Sequence, residues 1–198
     1  MAHKSTYKLL FKRRRNGKTN YEKRLAMLKS KKLRLVVRKT NYAVRLQVVA
    51  YKERGDETVV SATSTELANW NWNSNPKNLP SAYLAGFLIG KRAVAAGITN
   101  AILDIGLHTP MHKGRIFSAV KGAMDAGLAV PVGEEALPET NRLTGKHIEA
   151  FAQKLETEKI QKVFSAVLKA GFDPKKTSDS FNAAKLAIEK NPNKSTKK

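Results

Sequence analysis

The hydrophobic residues that follow the first eighteen positions are spaced as in a helix. Tyr21, Leu25 and Leu28 are three or four residues apart, so they share one helical face. Thr19 stands three residues before Glu22, which is the spacing of a capping box. We therefore expect a helix of about three turns, with the Thr19 hydroxyl capping its start.

The next part of the chain changes to a period of two. Three segments rich in β-branched residues follow one another with short polar connections: residues 33–38, 44–50 and 58–63. In the second segment Val44, Leu46 and Val48 alternate with Arg45 and Gln47, so the hydrophobic side chains point to one side. The short connections predict an antiparallel three-strand meander with one face against a core.

Beyond residue 80 the helical period returns. Helices are predicted at about residues 81–96 and 114–126, each ending at a glycine, with a buried strand at 101–105 between them. Three further helices are predicted at about residues 143–155, 158–170 and 180–190. A meander followed by helix, strand and helix is typical of an α/β layered domain.

Composition divides the chain into four segments. They are a basic arm at 1–18, an α/β domain at 19–140, a helical C-terminal extension at 141–190 and a lysine-rich, disordered tail at 191–198. The arm has no hydrophobic period, and we expect it to order only on a partner. In the Asn-rich loop that we expect at 69–80, Trp70 and Trp72 are interpreted as a cap over the core.

Charge changes this picture more than any other property. The chain has 198 residues and a formal net charge of +21, and its first 54 residues hold eighteen basic and two acidic side chains. Such a concentration of like charge favours a polyanionic partner, which predicts binding to nucleic acid. The absence of cysteine excludes disulfides and thiolate metal sites. No segment is typical of a signal peptide or a membrane span, and we expect a cytoplasmic protein.

Several basic residues lie within or beside predicted strands, among them Arg34, Lys39, Arg45 and Lys52. The positive charge is therefore expected to continue from the arm across a folded face. The sequence has no zinc-finger spacing, leucine zipper or clear helix-turn-helix, which are common in readers of duplex DNA. Aromatic residues interleaved with the basic ones favour RNA, although most of them are expected to anchor the core; they are Tyr7, Phe11, Tyr21, Tyr42 and Tyr51.

No pattern supports catalysis or a cofactor. Gly86 and Gly90 precede Lys91 as in a phosphate-binding loop, but the spacing is one residue short and the pair lies in a predicted helix, where glycines permit close packing. His108 and His112 are interpreted as residues of an exposed loop. Two alternatives stay open: a module whose main role is to dock a protein partner, and a nuclease with Asp104 as a metal ligand.

Five blocks of sequence occur in an order that resembles a known family. The blocks are RLVVRKTN (34–41), SATSTEL (61–67), PSAYLAG (80–86), LDIGL (103–107) and GAMDAGL (122–128). A shorter match, GDET (55–58), lies between the first two. They resemble the archaeal form of the large-subunit ribosomal protein of universal family eighteen, the 5S-rRNA-binding family. The basic opening from Arg13 to Tyr21 is similar to the N-terminal extension of that family, and the resemblance spans about residues 5–155.

The resemblance implies an α/β fold with a mixed sheet and an RNase-H-like layered core. It also implies a structural role in the large ribosomal subunit, without enzymatic activity. The implied partners are 5S rRNA, 23S-type rRNA and the ribosomal protein of universal family five, in the central protuberance. Charge and resemblance together give the predicted RNA-binding residues: Lys12, Arg13, Arg14, Arg15, Lys18, Thr19, Arg24, Arg34, Arg38, Lys39, Asn41, Arg45, Lys52, Lys113 and Arg115.

Overall fold

A four-stranded mixed sheet lies at the centre of the computed structural model, which describes residues 8–193. The strands are β1 (Arg34–Lys39), β2 (Val44–Ala50), β3 (Glu57–Thr63) and β4 (Ile102–Asp104). The strand order is β3-β2-β1-β4; β2 is antiparallel to both of its neighbours and β4 is parallel to β1. The predicted α/β class with a mixed sheet is confirmed, and the RNase-H-like layering stays a prediction.

Nine α-helices occur within residues 8–193, together with three short 3-10 helices. The α-helices are α1 (Lys12–Arg15), α2 (Tyr21–Lys29), α3 (Leu79–Ala95), α4 (Arg115–Asp125), α5 (Thr140–Leu143), α6 (Lys146–Lys154), α7 (Thr157–Val163), α8 (Ser165–Lys169) and α9 (Thr177–Lys190). The 3-10 helices are Ser64–Trp70, Glu134–Ala136 and Pro174–Lys176. None of the helices in this part of the chain is long and apolar enough to cross a bilayer.

The structure corrects three details of the predicted helices. The chain leaves helical geometry between α5 and α6 because Gly145 adopts a left-handed conformation, with φ at 84°. The helix predicted at 158–170 is interrupted at Phe164, between α7 and α8. The 3-10 helix Ser64–Trp70 was not predicted; the Glu66 carboxylate accepts a hydrogen bond from the Thr63 N–H at 3.0 Å near its start.

The first residue of α2 also differs from the prediction. Asn20 is the capping residue, and its side-chain oxygen accepts a hydrogen bond from the Lys23 N–H at 3.1 Å. Thr19 instead accepts a hydrogen bond from the Arg13 Nε–H at 2.8 Å. The prediction that Thr19 caps this helix is therefore wrong, and its hydroxyl ties the arm to the residues before α2.

The hydrophobic core lies between one face of the sheet and helices α3 and α4. Leu35 and Val37 of β1 and Leu46 and Val48 of β2 are fully buried against it. These residues are two apart in each strand, so the alternation in the sequence predicted the buried face of the sheet. The opposite face is turned away from these helices and carries Arg34, Arg38 and Arg45. Arg38 lies directly across from Arg45, and Arg34 lies across from Val49.

Helices α3 and α4 pack very closely because glycines lie at their crossing. A Cβ atom built on Gly86 would lie 1.9 Å from the backbone oxygen of Ala119, and one on Gly90 would lie 2.5 Å from the Cβ of Ala126. The interpretation of Gly86 and Gly90 as packing residues, and not as a phosphate-binding loop, is confirmed. Their lack of a side chain lets two buried helices approach backbone to backbone.

The C-terminal helices share the core of the α/β part. Phe172 and Phe181 meet the ring of Trp72 edge-on, with ring centroids at 5.2 and 6.2 Å. Trp72 is 2% exposed and its Nε1–H donates to the Ser81 hydroxyl at 2.7 Å. Trp70 is also buried and donates to the backbone oxygen of Asn191 at 2.9 Å. The interpretation of both tryptophans as a cap over the core is confirmed, and the cap extends to the end of α9. The tail residues 194–198 lie outside the described residues.

Replacing Trp72 with phenylalanine is expected to lower the free energy of unfolding by about 2 kcal/mol, because it removes a buried hydrogen bond and leaves a cavity. The midpoint of urea denaturation measures the effect. Tyr42→Phe is the control, since Tyr42 is 84% exposed and its change should cost less than about 0.5 kcal/mol. Equal midpoints for the two variants would contradict the role of Trp72 as a buried anchor.

Candidate nucleic-acid interface

The outer face of the sheet is partly covered by α2, which leaves a cleft between helix and strands. The cleft has a volume of about 930 Å³ and is lined by residues of α2, β1, β2 and the loop after β4. Six of its lining side chains are cationic and two are anionic. The cationic residues are Arg13, Lys18, Lys23, Arg24, Arg34 and Arg38, and the anionic residues are Asp56 and Asp104.

The predicted contact residues differ in how far they reach solvent. Nine are exposed: Lys12, Arg13, Arg14, Arg15, Lys18, Asn41, Arg45, Lys52 and Lys113. Five are half-buried: Thr19, Arg24, Arg38, Lys39 and Arg115. Arg34 alone of this set is buried. Most of the predicted residues are thus able to meet a large ligand without rearrangement of the fold.

Arg34 corrects the expectation that every arginine of the strands contributes to a solvent-facing basic surface. Its side chain is 3% exposed, and its guanidinium contacts Asp104 at 2.8 Å and Asp56 at 2.7 Å. A buried arginine held by two carboxylates satisfies its own charge inside the protein. Arg34 is therefore not available for direct contact with a ligand.

Asp104 is saturated by contacts within the protein. One carboxylate oxygen accepts from Arg34, and the other accepts from Arg38 at 3.0 Å and from the Gly106 N–H at 2.9 Å. The interpretation of Asp104 as a hydrogen-bonded structural residue is confirmed. Within residues 8–193 no cluster of three or more acidic or histidine side chains is arranged to hold a metal ion.

Seven of the predicted cations form no ion pair with any residue of the described part of the chain. One of them, Arg115, donates to the backbone oxygen of Lys77 at 3.3 Å. The other six lie on α1, at Lys18, and on β1 and β2. They are Lys12, Arg13, Arg15, Lys18, Lys39 and Arg45. Arg14 approaches Glu22 only at 3.9 Å, and both side chains are largely exposed, so this pair contributes little. These cations are available to phosphate groups.

The arm is more ordered than the sequence indicated. Residues Lys12–Arg15 form α1, a single helical turn that the lack of a hydrophobic period did not predict. The arm folds back on α2 through Phe11, whose ring centroid lies 5.2 Å from that of Tyr21, and through the bond from Arg13 to Thr19. All four side chains of α1 remain exposed, so the turn presents them to solvent.

The remaining predicted residues lie at two other places. Lys52, in the turn before β3, pairs with Glu57 and does not line the cleft. Lys113 and Arg115 lie at the start of α4, where Lys113 contacts Glu139 at 3.1 Å. Burial lowers the pKa of His108, and the charges of Lys39, Arg38 and Arg115 lower that pKa further. Arg115 therefore shares one positive field with the cations of β1.

Most of the aromatic residues that are interleaved with the cations were expected to anchor the core, but three of them are exposed. Phe11, Tyr42 and Tyr51 are 71%, 84% and 55% exposed. Tyr21 is half-buried and lines the cleft, and Tyr7 lies outside the described residues. Exposed rings beside cations are able to stack on unpaired bases, which is a common mode of RNA recognition.

Among the basic side chains that line the cleft, sequence reasoning missed Lys23 and His108. Lys23 directly precedes Arg24 in a basic segment, and that proximity was a usable signal. His108 reaches the cleft because the loop after β4 folds toward α2, and nothing local in the sequence indicates that approach.

Comparisons with known proteins identify the family that the chain is similar to. Residues 5–99 match the family model described as "Ribosomal large subunit proteins 60S L5, and 50S L18". A protein of Korarchaeum cryptofilum named large ribosomal subunit protein uL18 is 47% identical over 184 residues, which cover 92% of this chain and 94% of that protein. A protein of the same name from Methanothermobacter thermautotrophicus is 45% identical over 189 residues, which cover 96% and 98%.

These matches assign the chain to a class of large-ribosomal-subunit proteins. Within that class, the chain belongs to the uL18 family. The family resemblance that was read from five short sequence blocks is thereby confirmed.

Proposed function

We propose that this chain is a structural, non-catalytic component of the large ribosomal subunit in the cytoplasm. It binds 5S rRNA, contacts 23S-type rRNA, and lies beside the ribosomal protein of universal family five in the central protuberance. Family membership supports the ribosomal role. The observation that carries the RNA-binding role is the group of unpaired cations on α1, at Lys18, and on β1 and β2.

The proposed RNA surface consists of the arm, the cleft and the exposed ends of the first two strands, together with the turn before β3 and the start of α4. Its contact residues are Lys12, Arg13, Arg14, Arg15, Lys18, Thr19, Arg24, Arg38, Lys39, Asn41, Arg45, Lys52, Lys113 and Arg115. The arginine side chains offer planar pairs of donors that match phosphate oxygens. Exposed Asn41 and half-buried Thr19 add neutral hydrogen-bonding groups to this surface.

The physical role of this surface is to neutralise phosphates where two RNA helices approach each other. Counterions condensed on the RNA are released when protein cations replace them, and this release favours binding. The protein's own net charge of +21 weakens its isolated fold through self-repulsion, and an RNA partner relieves that cost. The α/β domain and the C-terminal helices are proposed to act as one body because they share the core described above.

The proposal predicts preferential and salt-dependent binding to 5S rRNA. If the six unpaired cations each meet one phosphate, the logarithm of the binding constant should fall with the logarithm of salt concentration with a slope of about −4 to −5. Fluorescence anisotropy with labelled 5S rRNA over a salt series measures the slope, and a scrambled RNA of equal length is the control.

Equal affinity for the two RNAs would contradict the proposed 5S rRNA specificity. The protein-docking alternative has its own readout: capture of one ribosomal protein by this chain after complete nuclease digestion, together with no measurable RNA binding, would replace the proposed function.

A further inference from the structure

Five charged side chains form a continuous chain of ion pairs from α2 to the far edge of the sheet. The charges alternate in the order Arg24, Asp56, Arg34, Asp104, Arg38. Arg24 of α2 contacts Asp56 through both guanidinium nitrogens, at 2.8 and 2.9 Å. Arg34 then joins Asp56 to Asp104, as described above. Two carboxylates thus hold three arginines, one from α2 and two from β1.

Helix α2 depends on the ion pair between Arg24 and Asp56, called the Asp56 tie below, because the helix buries little apolar surface. None of its nine residues is fully buried, and Leu25 is 57% exposed. Tyr21, Met27 and Leu28 are only half-buried. Within the described part of the chain, the pair between Arg24 and Asp56 is the one ion pair that joins α2 to the sheet. A helix with so little buried surface is poorly fixed by the hydrophobic effect.

The geometry of the Asp56 tie indicates that it fixes the orientation of α2 more than it raises the free energy of unfolding. Buried ion pairs cost desolvation energy and often add little to stability, whereas a bidentate arginine–carboxylate contact fixes direction. The Arg34 Nε–H is buried without a hydrogen-bond partner among the described residues, so this network is not optimised for stability alone. The hydrogen bond from Arg24, aided by Arg34, lowers the pKa of Asp56 against the opposing effect of burial.

We propose that Asp56 is a positioning residue for RNA binding: it holds α2 against the sheet, so that Lys23, Arg24 and the arm face the same side as Arg38. This inference rests on the proposed function. The expected effect is the opposite of what net charge alone predicts. Removing the negative charge of Asp56 should weaken the binding of the RNA, although the RNA is a polyanion. When only a fraction of the molecules has α2 in place, the apparent affinity falls by that fraction.

The test compares two variants that raise the net charge by the same amount. Asp56→Asn removes the tie and leaves the side-chain size almost unchanged. Glu135→Gln is the matched control, since Glu135 is exposed and forms no ion pair with any residue between 8 and 193. Asp56→Glu keeps the carboxylate and should restore most of the binding. Hydrogen exchange of the α2 amides without RNA reports the position of the helix directly.

We expect Asp56→Asn to bind 5S rRNA about tenfold more weakly than Glu135→Gln, if the docked fraction falls to about one tenth. The salt slope should stay near the wild-type value, because the complex still forms with α2 in place and with the same phosphate contacts. A variant that merely unfolds in part would instead exchange faster at the buried amides of β1 and β2 as well as in α2. The α2 amides should exchange faster in Asp56→Asn than in the wild type.

Two results would overturn the inference. One is Asp56→Asn binding RNA as tightly as Glu135→Gln, and the other is α2 exchanging at the wild-type rate in Asp56→Asn. Wild-type protein without affinity for RNA would instead refute the proposed function, and hydrogen exchange alone would then still decide whether Asp56 holds α2.

Discussion

Replacing Arg13, Arg14 and Arg15 together with glutamine should lower the affinity for 5S rRNA about a hundredfold at near-physiological salt. The three side chains are exposed on α1, and Arg13 and Arg15 form no ion pair within the described chain. Each lost phosphate contact makes the salt slope shallower by about 0.7–0.9, so the total change should be about two to three. Anisotropy titrations over a salt series measure the affinity and the slope together.

Two control variants distinguish the effect of where the arm's charges lie from the effect of the protein's net charge. Arginine-to-lysine replacement at the same three positions keeps the charge, so the slope should be retained while some affinity is lost with the planar donor pairs. Glutamine at Lys154, Lys162 and Lys169 removes the same charge from exposed positions on α6, α7 and α8. If that triple weakened binding as much as the arm triple, the RNA would respond to net charge and not to the arm.

Much of the fold was predictable because its signals are local. Val44, Leu46 and Val48 alternate with exposed residues in the sequence, and the structure buries all three. A helix ending at a glycine was equally predictable: α4 stops at Asp125, shortly before Gly127, whose φ is 107°. Such patterns depend on neighbours within a few residues, so one sequence suffices to read them.

Local patterns did not predict which cations are exposed and which are paired inside the protein. Arg34 and Arg45 both lie in strands, yet Arg34 is buried and Arg45 is exposed. Arg34 meets Asp56 and Asp104, which lie 22 and 70 residues further along the chain. Charge counting assigns both arginines to one surface, and only the pairing of β1 with β4 reveals the difference.

The same limit applies to the capping of α2 and to the C-terminal helices. Both Thr19 and Asn20 are good capping residues, and the choice between them depends on Arg13, which binds the Thr19 hydroxyl. Phe181 carries no local signal that it will contact Trp72, although this contact joins α9 to the core. Contacts outside the local sequence pattern decided both points.

The arm and the Asp56 tie have complementary tasks in the proposed RNA surface. The arm supplies exposed charge, and its few internal contacts leave it free to adapt to the RNA. The Asp56 tie is proposed to hold α2, from which the arm extends. The arm then has fewer orientations to give up when RNA binds, which lowers the ordering cost of binding. A rigid base with an adaptable cationic end would account for the salt dependence and the specificity proposed above.

The second large effect concerns the crossing of α3 and α4, where Gly122→Ala is expected to lower the free energy of unfolding by at least about 3 kcal/mol. The added Cβ would lie 2.1 Å from the Tyr83 backbone oxygen and 2.8 Å from the Phe87 backbone nitrogen. Backbone atoms inside a buried helix cannot move aside, so the two helices must separate. Alanine favours helix formation over glycine by only about 1 kcal/mol, which does not offset the clash.

Gly133→Ala is the control, because a Cβ at Gly133 meets no heavy atom within 4 Å and its φ of −67° suits any residue. Urea denaturation should leave the midpoint of Gly133→Ala near the wild type and shift that of Gly122→Ala far downward. The folded fraction of Gly122→Ala should nearly keep the wild-type salt slope, since the six unpaired cations lie on α1, at Lys18, and on β1 and β2, and not on either of these helices. Similar midpoints for the two glycine variants would show that α3 and α4 tolerate separation, and would contradict a core built on their backbone contact.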